Sequence, residues 1–409
     1  MNARVYTTAR ACELELDATQ RRIVRDCIDM RPLKIAFVSA WDVRDPHTWS
    51  GIPHSILTFL HRDGADVEVI SPLSRRFRYL FLGRWLACKI RRKYYQTDRE
   101  PVLIASYARQ IERRMKGRRF DAILSTEPFT IAKLDRPEPI TYWSDAVWDL
   151  MTNYYWFDPP QSFRASWREH EEQAMARAAH AVYASDWAAS GARDHYQIDK
   201  NKLAVIPFGP NLDIHHHRSD VESAIASRPK DRCVLLFLGV DWKRKGGSIA
   251  VETARLLNEQ GLPTELIVAG CRVPGEKPAF VTERGFISKR TPQGKDQLGE
   301  LLRTSHFLIF PTRAECAGVV FSEASAFGLP IITSDTGGIA TYVRQGVNGI
   351  RIPLTASAES YAEHIWRLFH DRAAYGSMAL AGWDEYRQRL NWETSVSSLL
   401  PLLAQGPHS

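Results

Sequence analysis

Residues Phe310–Pro330 read FPTRAECAGVVFSEASAFGLP, and this stretch decides the fold. The apolar run Phe307–Phe310 predicts a strand, the residues after it a loop, and Ser322–Phe327 a helix. Gly328-Leu329-Pro330 then turns the chain into a further strand at Ile331–Thr333. Strand, loop, helix, strand is the repeating unit of a parallel α/β sheet. Glu315 and Glu323 stand eight apart, the first in the loop and the second in the first turns of the helix. Carboxylates accept hydrogen bonds from vicinal hydroxyls, as on a sugar or a ribose, and amides at a helix start suit a phosphate. Ala317-Gly318 between them permits close backbone approach. Taken alone, two glutamates are better served by a plainer account, a surface residue and part of an N-terminal cap.

The same alternation extends in both directions. Cys233–Leu238 and Leu266–Ala269 read as strands, with helices at Gly247–Glu259 and Asp296–Thr304. Upstream, strands are expected at Lys34–Ser39, Val67–Ile70, Ala122–Ser125, Ile140–Trp143, His180–Ala184 and Lys202–Ile206, with helical stretches at Ile52–Arg62 and Ser162–Ala179. The expected fold class is therefore α/β, two doubly wound Rossmann-like domains facing across a ligand cleft at the carboxyl ends of their sheets. A polar extension covers residues 1–30, with one helix around Ala11–Asp29. The first domain spans 31–210, the second 211–374, and a helical segment 375–409. Pro207-Phe-Gly-Pro210 breaks the chain, and the polar tract Asp213–Arg232 reads as the linker. His215, His216 and His217 within it suggest a metal, but no carboxylate or cysteine pattern accompanies them, so a solvated loop is expected.

Composition narrows the class. A chain of 409 residues with 44% hydrophobic and 25% charged content is globular and long enough for two cores, which excludes disordered and disulfide-stapled classes. The six cysteines are scattered with no CxxC, which points to reduced thiols in the cytoplasm. No apolar signal region and no run of 18 apolar residues is visible. The net charge of +7 has one address. Arg75–Lys93 (RRFRYLFLGRWLACKIRRK) holds eight cations (Arg75, Arg76, Arg78, Arg84, Lys89, Arg91, Arg92 and Lys93) and no acid, and the rest of the chain is nearly neutral. A surface built throughout for nucleic acid is thereby disfavoured.

The 310–330 segment resembles the E-x7-E signature of retaining glycosyltransferases of family 4, which have the GT-B fold. The likeness extends to Gly328-x-Pro330, Gly337-Gly338 and Gly346-x-Asn348-Gly349, is specific over residues 231–355, and is diffuse over 34–210. The resemblance implies that Glu323 holds the ribose of a nucleotide diphosphate sugar and that Glu315 faces the donor sugar. It places the backbone of Cys316, Ala317, Gly318, Val319 and Val320 against sugar and diphosphate. Gly239-Val-Asp-Trp-Lys243-Arg244-Lys245-Gly246-Gly247 follows a strand and opens a helix. Cations and glycines at a helix start favour an anion, here the departing diphosphate. Arg244 and Lys245 are similar to the family's Arg and Lys, although the family's Arg commonly lies several residues earlier.

Further segments carry the likeness into both halves. Trp41–Ser55 (WDVRDPHTWSGIPHS) resembles the family's glycine-containing loop, with Gly51 matching and Ser50 where a second glycine is usual. His47, Trp49, Ser50 and His54, with Asp42 and Asp45, are candidates for touching the acceptor. Ser144-Asp145 stands where many family members carry a histidine. Asp145 either orients a hydroxyl or caps the next helix. Gly285-Phe286-Ile287-Ser288 resembles the segment whose main chain reads the nucleobase. The C-terminal helical stretch would cross back onto the first domain, as the family suggests.

The implied activity is hexosyl transfer, with retention, to a hydroxyl of a glycan or lipid-linked glycan in surface polysaccharide or glycoconjugate synthesis. No DxD-type carboxylate pair appears in a fitting context, so neither metal nor other cofactor is expected. The aromatics interleaved with the basic patch suit an anionic membrane surface, which implies a peripheral enzyme at the inner face of the cytoplasmic membrane. A helix with an apolar core side and solvated cations, or a nucleic-acid site, would share that composition. The rival functions are a GT-B nucleotide-sugar epimerase and a non-catalytic homologue that binds nucleotide sugar or membrane.

Overall fold

The computed structural model describes residues 31–155 and 157–405. The expected extension 1–30 lies outside them, as do 406–409. Among the described residues, twelve strands form two six-stranded parallel sheets. The first comprises β1 (Lys34–Val38), β2 (Asp66–Ile70), β3 (Ala122–Ser125), β4 (Ile140–Ser144), β5 (His180–Tyr183) and β6 (Leu203–Val205), in the order β2-β1-β3-β4-β5-β6. The second comprises β7 (Cys233–Leu238), β8 (Thr264–Ala269), β9 (Val281–Gly285), β10 (Phe307–Phe310), β11 (Ile331–Asp335) and β12 (Gly349–Pro353), ordered β12-β11-β10-β7-β8-β9. The central strands β3, β4 and β10 are buried along their whole length, which is why they read as unbroken apolar runs rather than as alternating ones. Each sheet reverses its direction of growth once, between β1 and β3 and between β7 and β10. Loops leaving the carboxyl ends of those strand pairs part there and leave a crevice.

The expected fold class holds, with local differences. Strand β12 (GIRIP) carries too short an apolar signal to be read in isolation. The tract 213–232 holds a helix, Arg218–Ser227, that packs on the second domain through Val221 and Ala224. With only two buried side chains, it looks like a linker in composition. After it, the buried Arg228 donates to the carbonyls of Arg303, Phe327 and Gly328. Nor is His216 a solvated residue. Its ring lies 4.7 Å from Phe327 and 5.2 Å from Trp383, with Nε2 on the Ala326 carbonyl. Among the described residues no group of His, Cys, Asp and Glu is placed to hold a metal ion.

The expected helical segment from Tyr375 onward is two helices, Arg372–Arg389 and Trp392–Ala404. Asn391 starts the second by accepting from the Thr394 amide at 2.8 Å. The first of these stays with the second domain, where Tyr375 joins the core and Trp383 and Tyr386 cover Val221 and Ala326. Trp392, Val396, Leu399 and Leu403 instead pack with Ile56, Leu60, Leu124 and Trp143 of the first domain.

Candidate active site

The β7 and β10 loops meet at the second sheet's crevice. Gly239 follows β7, and a Cβ there would lie 2.9 Å from Lys245 Cγ, so the missing side chain lets Lys245 fold across the strand end. Lys245 Nζ forms an ion pair with Glu315 and sits 4.6 Å from the Phe310 ring centre, with both charged side chains about nine-tenths covered. Burial pulls the Lys245 ammonium below its ordinary range, opposed by the Glu315 charge. Gly246 and Gly247 serve packing rather than an open anion cradle. A Cβ on Gly246 would lie 1.9 Å from the Pro311 carbonyl oxygen, and one on Gly247 would enter the Trp242 ring. A cleft of about 820 Å³ opens beside this turn between Val240–Lys243 and Val273–Pro278, on a side that includes neither Glu315 nor Lys245.

Glu323 is buried one turn inside the helix Val319–Ala326. Its Oε1 accepts from the Asn211 amide at 3.2 Å and pairs with Lys289. Glu315 and Glu323 thus each carry their own lysine. Gly318 opens that helix, and the Phe321 ring fills the place of its Cβ. Cys316 is buried, with Sγ 3.4 Å from Met151 Sδ of the first domain, while Ala317 and Val320 are half-buried. Phe286 stands out into solvent and Ile287 packs against the second core.

From the first domain, Trp49, Ser50 and Gly51 take successive left-handed backbone angles (φ 44, 57 and 84). Ser50 carbonyl accepts from Asn211, and a Cβ on Gly51 would lie 2.8 Å from the Pro46 carbonyl oxygen. The Asp45 carboxylate accepts from Arg290 of the second domain at 2.6 Å. The His47 side chain is exposed, and His54 Nδ1 is buried with no hydrogen-bond partner among the described residues. Burial pushes the Asp145 carboxyl up to about 6, and Glu315 adds to the rise, against its own amide, the Trp49 indole and Arg99. Asp145 does not cap the helix Trp148–Met151, which starts from Val147 with no side-chain cap.

Lys289, Tyr154, Tyr155 and Glu127 escaped the sequence reading. Glu127 closes the first sheet's crevice after β3, with its carboxylate accepting from Ser39 Oγ (3.0 Å), Thr126 Oγ1 (2.7 Å) and the Ala40 amide (3.2 Å). Burial raises it from the usual carboxylate value to about 7, against those three donors. A raised folded-state value stabilises below pH 4.5, where both states are protonated, and that contribution is lost as pH rises to 7. Glu127→Gln should therefore gain on the wild type by roughly 3 kcal/mol between pH 4.5 and 7.5 in urea unfolding. A difference between the two proteins that is constant with pH would contradict this.

The basic segment is only partly free. Arg75 pairs with buried Asp98, Arg84 with buried Glu100 and Lys93 with Asp158. Arg76, Arg78, Lys89, Arg91 and Arg92 are exposed, with no ion pair among the described residues. The apolar side of its helix Leu82–Ile90 is not core. Leu80 is 71% and Ile90 74% exposed, beside exposed Tyr79, Leu82, Trp85 and Leu86, and Cys88 alone is buried.

Two six-stranded parallel α/β domains facing each other are the GT-B architecture of glycosyltransferases. Residues 54–214 match the sequence family "Glycosyltransferase Family 4" and residues 219–382 match "Glycosyl transferases group 1". The chain belongs to glycosyltransferase family 4. It is 26% identical over 244 residues to a D-inositol 3-phosphate glycosyltransferase of Nocardiopsis dassonvillei, covering 56% of each chain. With that of Catenulispora acidiphila it shares 31% over 207 residues, 47% of this chain and 49% of the relative. The chain thus spans about half the length of the curated relatives it matches. Among solved structures, sucrose-phosphate synthase from Thermosynechococcus elongatus superposes with a TM-score of 0.64 at 16% identity, over 90% of this chain and 98% of that one. Anabaena HepE in complex with UDP and glucose gives 0.60 at 16%, over 91% and 100%.

Proposed function

We propose that this chain transfers a hexosyl group from a nucleoside diphosphate sugar to a hydroxyl of a glycan or lipid-linked glycan, with retention and with no metal requirement. The observation that carries the reading is the double pairing Glu315–Lys245 and Glu323–Lys289 at the β7/β10 crevice. An incoming diphosphate competes for Lys245 and frees Glu315 to accept hydroxyls of the donor sugar. Glu323, steadied by Asn211 and Lys289, accepts the ribose hydroxyls. As the anomeric C–O bond breaks, negative charge grows on the leaving diphosphate, where Arg244 and Lys245 stabilise it. Each charge-assisted bond contributes about 1.5–3 kcal/mol. Asp145, at the first domain's face of the cleft, orients a reacting hydroxyl. The name of the curated relatives and the UDP and glucose of the HepE complex support a sugar donor of this kind. A panel of nucleotide sugars, screened by thermal stabilisation and then assayed with glycan acceptors, tests the reading. Proton NMR should show the donor's anomeric configuration kept in the product, with the rate unchanged in EDTA. Inversion, or release of an altered sugar nucleotide without acceptor, would replace it.

The acceptor is reached at the cytoplasmic face of an anionic membrane, through the segment Arg76–Arg92. Its exposed Tyr79, Leu80, Leu82, Trp85, Leu86 and Ile90 suit the acyl boundary, and its five exposed cations, held in no ion pair among the described residues, suit anionic headgroups. No helix of the described residues is long and apolar enough to cross a membrane. Replacing Arg91 and Arg92 by alanine should weaken binding to phosphatidylglycerol vesicles about 30-fold in low salt, at about 1 kcal/mol per cation. Leu80→Glu with Ile90→Glu should lower it further. Sedimentation identical to wild type would remove the membrane from the account.

A further inference from the structure

Tyr154 and Tyr155 belong to the first domain but end in the second. Asn153, left-handed at φ 60, turns the chain so that both rings leave in that direction. Tyr155 Oη accepts from Arg244 Nη1 at 2.8 Å and donates to the Ala314 carbonyl at 3.2 Å, with the guanidinium 4.7 Å from the Tyr155 ring centre. Tyr154 Oη accepts from the Glu315 amide at 2.8 Å and lies 3.0 Å from Thr336 Oγ1. The fit around Tyr154 leaves no room for a side chain on Gly337, whose Cβ would lie 2.2 Å from the Glu315 carbonyl oxygen and 2.3 Å from Tyr154 Oη. Cys316 is held in the same contact by Ala146 and Met151. Thus one hydroxyl holds the peptide of the crevice glutamate, and its neighbour holds the guanidinium next to Lys245.

We propose that Tyr154 and Tyr155 are positioning residues through which the acceptor-side domain sets the donor site, Tyr155 by orienting Arg244 and Tyr154 by fixing the backbone of Glu315. The proposal rests on the donor-site reading above. Its consequence is a dependence of the donor site on domain closure, because each group loses its first-domain contact when the domains part and keeps only those of its own domain, Arg244 with the Ala314 carbonyl and Asp241, Glu315 with Lys245. Preorganised charges act without reorganisation at the moment of reaction, so the contact raises the effect of both groups.

A double-mutant cycle on the full chain tests this, with UDP as the probe in titration calorimetry, or GDP or ADP if wild type binds that better. Arg244→Ala should weaken UDP by about tenfold or more, and Tyr155→Phe, which keeps the ring, by about two- to tenfold. In the Arg244→Ala background, Tyr155→Phe should cost nothing further, because the hydroxyl acts through the guanidinium. Tyr154→Phe and Glu315→Ala form the same cycle with UDP-glucose as probe, and the same coupling is expected. A merely structural tyrosine would give losses that add, or a lowered melting temperature without a change in affinity; either result overturns the proposal. A wild type that binds no nucleoside diphosphate overturns the donor-site reading itself, a failure separate from additivity.

Discussion

Lys245→Ala is expected to lower the rate of glycosyl transfer about 10²–10³-fold, the cost of removing one preorganised charge from a developing anion. The lysine is held between Glu315 and the Phe310 ring and is mostly buried, so its charge acts where water screens it little. The substitution has a second effect that must be separated from the first. It leaves Glu315 as an unpaired buried carboxylate, a cost of about 3–5 kcal/mol in folding stability unless the group takes up a proton. The double variant Lys245→Ala with Glu315→Gln should recover most of that stability and none of the rate. Steady-state kinetics beside urea unfolding on the three proteins checks this. A double variant that regains both would make the pair structural and would place the diphosphate elsewhere.

Trp392→Ala should remove about 3–5 kcal/mol of stability, as expected for a large aromatic deleted from a packed site. The Trp392 ring is 3% exposed and lies 5.9 Å from both Trp143 and Phe208. Its indole N–H donates to the Pro210 carbonyl at 2.8 Å, in the passage between the two domains. A Cβ on Gly209 would lie 2.5 Å from the Trp392 amide nitrogen, so the chain break at Pro207–Pro210 is shaped around this residue. The substitution therefore loosens the attachment of the last helix to the first domain. Urea unfolding is the measurement, and a loss below about 1 kcal/mol would show that the last helix is held elsewhere.

The parallel strands were legible because their burial on both faces writes them as apolar runs between turn signals. The glutamate spacing was legible because a loop and a short helix carry both carboxylates within one segment. Other features were not, for reasons of range. Tyr154 and Tyr155 follow β4 by about ten residues and meet partners some 160 residues later, a contact that no local pattern encodes. Lys289 lies one residue beyond the Gly285–Ser288 segment, and its pairing with Glu323 arises only when β9 and β10 flank β7 and β8. Glu127 is a single carboxylate in an apolar neighbourhood, and its significance comes from the three donors that the β1 and β3 ends bring to it. The net charge likewise overstated the free basic patch, since Asp98, Glu100 and Asp158 lie outside the segment but pair with three of its eight cations.

The central claim is that the β7/β10 crevice holds a nucleoside diphosphate through Lys245. Titration calorimetry of UDP, GDP and ADP against wild type and Lys245→Ala tests it most directly. The account predicts one-site binding of at least one of the three to wild type, weakened at least about tenfold in the variant. Absence of binding, or equal affinity in the two proteins, would contradict it.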